Sequence, residues 1–153
     1  MAVLNLNKYP VVPSDVFGWE VNTDVGYGRE TFTITTAAPI AVGEVLVADY
    51  VAKTAVRVGA LADAAAVAAL GDLVIFVGRD LTNNPAVAQD FDRLTMTATG
   101  SGVAITRGDG RGTLYKKHLM FGDVAFYDLP ADVQSALVAK FTTENRFKVL
   151  DQV

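Results

Sequence analysis

The segment Thr31–Leu61, TFTITTAAPIAVGEVLVADYVAKTAVRVGAL, restricts the fold more than any other part of the chain. Short β-branched runs are broken by a Pro-Ile-Ala-Val-Gly corner at Pro39–Gly43, and such runs bounded by Pro and Gly read as strands. Within Glu30–Thr36, Phe32 and Ile34 face one way while Thr31, Thr33 and Thr35 face the other. That two-residue period marks a half-buried strand. Strands are expected again at Glu44–Val51 and Thr54–Val58, joined through Ala52-Lys53. In the second, Val56 and Val58 alternate around Arg57.

The rest of the chain extends this pattern. Leu61–Leu70 is Ala-rich and predicts a short helix stopped by Gly71. Leu73–Val77 is a continuous apolar run, the signature of a strand buried on both faces. Arg79–Asp90, with Asn83-Asn84-Pro85, reads as a loop. Arg93–Thr99 alternates Leu94, Met96 and Ala98 against threonines, and Gly100-Ser101-Gly102 is expected to turn a hairpin into Val103–Thr106. Thr113–Phe121 reads as one more strand or a strand-like rim. Near the end, Asp128 is the expected N-cap of a helix over about 129–141, with Pro130 in its first turn. Val133, Ala136, Leu137, Lys140 and Phe141 share one face, and Leu129 staples onto it. Phe147–Leu150 is expected to return to the body as a strand. The fold class is therefore mainly β with one or two short helices.

Residues 1–29 differ from the body at 30–153. Pro10 and Pro13 interrupt any central strand, yet Leu4, Leu6, Tyr9, Val11, Val12, Phe17 and Trp19 are too apolar for a solvated tail. We read 1–29 as an extended N-terminal arm that docks on another protein, with these seven side chains as the contact residues. The competing reading is an edge strand packed on its own domain. Phe32 is expected inside, and Phe17 and Trp19 at the contact surface.

Composition and motifs narrow the function classes. At 153 residues the chain supports one domain with a core. No apolar run approaches the ~18 residues of a membrane span. The opening MAVLNLNKYP has neither the basic nor the hydrophobic region of a secretory signal. Thirteen basic and 17 acidic residues are interspersed, with no Lys/Arg stripe of the kind that binds nucleic acid. The absence of Cys excludes thiol chemistry and suits assembly in a reducing cytoplasm. His118, the sole imidazole, sits beside Lys116 and Lys117 and lacks a triad pattern. Asp80, Asp90 and Asp92 are candidate oxygen ligands without an EF-hand spacing, and read better as solvated loop residues. Arg107-Gly108-Asp109 reads as a turn rather than an adhesion tripeptide. We expect no catalytic, cofactor-binding or metal-binding residues.

Ile40-Ala41-Val42-Gly43-Glu44-Val45-Leu46, followed by Lys53–Val58 and by Leu73-Val74-Ile75-Phe76-Val77-Gly78-Arg79-Asp80-Leu81, resembles recurring elements of the phage lambda head decoration protein family. The likeness covers about residues 30–120; the C-terminal helix lies outside it. The resemblance implies a β-tulip-like body that trimerises on the outer surface of a virion capsid. It would be made in the host cytoplasm, and would cement major capsid protein subunits after the shell expands, partly through the arm. No nucleic acid or membrane partner is expected. The alternative is a ligand- or carbohydrate-binding β module using Trp19, Tyr27 or Tyr50.

Overall fold

The computed structural model describes residues 13–19, 28–36, 38–79, 95–97 and 99–151. The elements run α1 (Pro13–Val16), β1 (Phe17–Trp19), β2 (Arg29–Thr35), β3 (Ile40–Ala41), β4 (Val45–Asp49), β5 (Thr54–Arg57), α2 (Ala64–Ala68) and β6 (Asp72–Arg79). They continue with β7 (Thr95–Met96), β8 (Gly100–Ile105), β9 (Thr113–Tyr115), β10 (Met120–Phe121), β11 (Val124–Ala125), α3 (Ala131–Thr143) and β12 (Lys148–Leu150). The fold is mainly β. Five strands close into a barrel in the order β2-β5-β4-β6-β8, with β8 returning to β2. All its neighbours are antiparallel except β2 and β5.

Strand alternation separates two cores. Phe32, Ile34, Leu46, Ala48, Ala55, Val74, Phe76 and Ala104 fill the barrel, and Ile40 and Met96 close one end of that cluster from the β3–β7 pair. The second core lies outside the wall: Val45, Leu73, Ile75, Val77 and Ile105 pack against α2, α3 and the segment from β9 to β12. Strand β6 belongs to both, and Leu73–Gly78 is buried throughout. Burying both faces requires the unbroken apolar run that its sequence displays. In contrast, Thr31, Thr33 and Thr35 of β2 face solvent while Phe32 and Ile34 are inside.

A three-stranded sheet, β1-β9-β12, flanks the barrel; β1 is antiparallel and β12 parallel to β9. Helix α3 covers the outer core with Val133, Leu137 and Phe141, all fully buried.

Four expectations change. Gly100-Ser101-Gly102 is not a turn but the start of β8. A Cβ on Gly102 would stand 2.3 Å from Ile34 Cδ1 and 3.0 Å from Phe76 Cε2. Glycine is there for interior space, a use of the residue that local turn chemistry does not reveal. Secondly, Pro130 rather than Asp128 caps α3, and Asp128 ends a short 3-10 helix (Phe126–Asp128). Thirdly, the inward residues of β5 are Ala55 and Arg57; Val56 is exposed, and Val58, beyond the strand end, joins the outer core. Finally, the boundary at residue 29 does not separate an arm from the body. Residues 13–19 belong to the body: Val16 and Phe17 are buried in the outer core, and β1 pairs with β9.

The Pro39–Gly43 corner is tied on three sides. Gly43 N–H donates to Phe76 O at 3.0 Å, Met120 N–H donates to Gly43 O at 3.1 Å, and Glu44 N–H donates to Ala41 O at 3.1 Å. Gly43 has φ +98°, and a Cβ there would lie 2.3 Å from the His118 carbonyl oxygen. Backbone on the far side cannot swing away as a side chain would. Gly43→Ala should therefore cost about 2 kcal/mol or more, read as a lower urea midpoint at unchanged m-value.

Candidate functional site

The candidate site sits at the barrel end where β4 begins and β5 finishes. Glu44 precedes β4 by one residue and so shares the inward parity of Leu46 and Ala48. Arg57, paired in register with Leu46, shares the parity of Ala55. The two charged side chains therefore meet at the mouth of the lumen. Arg57 Nε donates to Glu44 Oε1 at 2.7 Å, and Arg57 Nη2 donates to Asp123 Oδ1 at 3.1 Å from the turn between β10 and β11. One planar guanidinium thus links β4, β5 and the β10–β11 hairpin, a task suited to its forked donors. The isolated bridge between Glu44 and Met120 joins the same pieces through the backbone.

Burial is uneven across the triad. Glu44 is 3% exposed, the Arg57 side chain 21% and the Asp123 side chain 92%. Glu44 Oε2 is shut off from solvent and has no hydrogen-bond partner among the described residues. Burial pushes the Glu44 carboxyl up to about 7, against the opposing pull of the Arg57 hydrogen bond and charge. Arg57 is pushed up: burial acts the other way but is outweighed by its bonds to Glu44 and Asp123.

Two grooves flank the Arg57–Asp123 pair. The smaller, about 280 Å³, is walled by Ile40, Glu44, Lys117, His118 and Met120. The larger, about 540 Å³, opens between residues 58–62 and the β10–β11 hairpin. A carboxyl with this affinity for protons is chemically able to exchange one near neutrality. Through Arg57 the arrangement also works as a clasp holding the hairpin on the barrel.

At the opposite mouth, Glu30, Tyr50, Asp72, Thr106 and Asn145 line a polar pocket of about 330 Å³. Tyr50 stacks edge-on against Phe32 at 5.7 Å, with Lys53 Nζ 5.8 Å from its ring. Asn145 Nδ2 donates to Leu73 O at 2.9 Å and Thr106 O at 2.7 Å, pinning the end of α3 to the barrel.

The residues expected to contact a partner fall in three places. Leu4, Leu6, Tyr9, Val11 and Val12 lie outside the described residues, as does Tyr27. Trp19 has its backbone in β1, opposite Thr113. Phe17 contradicts its assignment to a contact surface. It is 6% exposed, with its ring 6.0 Å from that of Phe147, because β9 and the segment before β12 bury it within its own chain. His118 closes a 3-10 helix (Lys116–His118) and reaches the same groove as Glu44. Asp80, Asp90 and Asp92 lie outside the described residues, among which no group of three or more His, Asp or Glu is placed to hold a metal ion. Arg107-Gly108-Asp109 opens a turn fastened by Gly108 N–H to Asn145 O at 2.8 Å and Gly110 N–H to Arg146 O at 2.7 Å. Among the described residues no helix is long and apolar enough to cross a membrane.

Sequence reasoning missed the Glu44–Arg57–Asp123 triad. The available signal was a charge at inward parity on each of two consecutive strands, Glu44 ahead of β4 and Arg57 in β5. Comparison of the chain with protein-family models, curated proteins and solved structures returned no match.

The folded state holds a proton on Glu44 that the unfolded chain releases between about 4.5 and about 7. Its contribution to stability is therefore greatest below pH 4.5 and declines as pH rises toward 7. Relative to Glu44→Gln, the wild type should lose about 2 kcal/mol between pH 5 and pH 7.5. Parallel urea titrations of both proteins across that range measure the difference; equal slopes would refute it.

Proposed function

We propose that this protein is a structural cement protein of a phage head. It binds the outer surface of the expanded shell, as a homotrimer, and bridges major capsid protein subunits. The observation that supports this most is the anchoring of residues 13–19. Burial of Val16 and Phe17 and pairing of β1 with β9 fix the root of the preceding segment at the edge of a sheet. That segment, residues 1–12, carries Leu4, Leu6, Tyr9, Val11 and Val12 and one charged side chain, Lys8. Twelve residues reach about 40 Å when extended, enough to span to a neighbouring subunit. The alternation Leu4-Asn5-Leu6-Asn7 suits strand addition to an exposed sheet edge, where backbone bonds supply affinity and alternate side chains set register.

The body fits the same role. The motif that resembles the decoration family, Ile40–Leu46, is the corner from β3 into β4, and Lys53–Val58 contains β5. Both are framework elements of a closed barrel whose edges are paired, a form suited to persisting on a particle surface. Three copies binding together would multiply weak individual contacts through effective concentration. Binding only the expanded shell would draw the shell equilibrium toward that state by mass action.

Removing residues 1–12 should leave the urea midpoint unchanged while abolishing co-sedimentation with expanded heads. Undiminished co-sedimentation would defeat the proposal. Phe17→Ala should instead cost about 3 kcal/mol in stability, because it empties a core position. Its loss of head binding should be no greater than its loss of folded protein.

A further inference from the structure

We infer that the groove between residues 58–62 and the β10–β11 hairpin docks a partner segment that carries an apolar side chain flanked by Lys or Arg. In naming the shell protein as the source of that segment, the inference rests on the decoration reading; the groove's chemistry stands apart from it. The floor and walls are apolar: Val58, Leu61, Phe121, Val124, Leu129 and Pro130 line a space of about 540 Å³. Val124 remains 40% exposed at its edge.

The border is acidic. Asp123 and Asp128 line the groove. Asp63 follows directly on the lining residue Ala62, and Asp132 Oδ2 accepts from the backbone of Ala64 at 3.2 Å, next to the same rim. The one cation among the described lining residues, Arg57, is already engaged by Glu44 and Asp123. Asp63 caps α2 and Asp132 holds α2 to α3, so both have structural work. Asp128 is exposed and has no hydrogen bond or ion pair among the described residues. An apolar trough with this border favours a partner of opposite charge.

The backbone points to a peptide rather than a small molecule. Strand β5 ends at Arg57, and among the described residues no backbone hydrogen bond involves residues 59–61. Gly59 and Ala60 are exposed there. Their amide and carbonyl groups are open to pairing with an incoming extended chain.

The test uses the full-length protein and two eight-residue peptides, one alternating Lys with Leu and one alternating Glu with Leu. The Lys–Leu peptide should shift the backbone amide resonances of Leu61, Val124 and Leu129, less strongly as salt is raised, and the Glu–Leu peptide should not. Asp128→Lys and Val124→Asp should each weaken the Lys–Leu peptide about fivefold or more. Equal response to both peptides, shifts that map elsewhere, or variants that bind like wild type would overturn the inference. So would changes at the same three amides on deleting residues 1–12, which would make the chain's own segment the occupant. In the same series, Asp128→Lys should weaken co-sedimentation with heads. Unchanged co-sedimentation with the peptide results as expected would overturn the shell protein as occupant. A wild type that fails to sediment with heads would defeat the decoration reading, while the peptide results would still judge the groove.

Discussion

Strand β6 is the wall on which both cores depend. Val74 and Phe76 point into the barrel; Leu73, Ile75 and Val77 point out beneath α2 and α3. A strand in that position cannot carry a polar face, since each unpaired polar group would meet hydrocarbon rather than water. Its neighbours are constrained in turn. Strands β4 and β8 pair with it on either side, so their registers follow from its own. Gly78, at φ +153° and beside the register shift after Phe76, lets the wall bend as the barrel closes.

The mouths of the barrel are finished differently, and the difference is electrostatic. At one end Glu44 and Arg57 close the lumen with a charge pair whose acid is deeply buried. Such pairs add little net stability compared with apolar packing, but leaving one partner alone is costly. In the native register of β4 and β5, with the β10–β11 hairpin in place, Arg57 is satisfied twice. At the other end Tyr50 packs on Phe32 and Asn145 clamps the end of α3, beside a solvent-exposed ion pair between Lys53 and Glu30 at 3.5 Å.

Several elements were legible because their cause is local. The alternation of Phe32 and Ile34 with threonines, the apolar run of β6 and the Val133–Leu137–Phe141 face of α3 each follow from a strand or helix period meeting one core. The unread parts have non-local causes. Gly102 is a glycine because Ile34 and Phe76 come close from other strands. Arg57 shares the inward parity of Ala55, and only the register of β4 against β5 brings Glu44, thirteen residues earlier, within 2.7 Å of it. The aromatic character of Phe17 suits an interface anchor as well as a core position; only β9 and Phe147, about a hundred residues on, show that it is core.

What the amino-acid order determined alone is the mainly β character, the two-faced burial of one strand and the amphipathic C-terminal helix, because each is written in the spacing of apolar residues. Only the tertiary structure decided which residues of the opening segment belong to the body and where the buried charges meet. It also decided which surface combines an apolar trough with an acidic border. Those outcomes depend on side chains far apart in sequence being brought within a few ångströms, a proximity set by barrel closure and strand register.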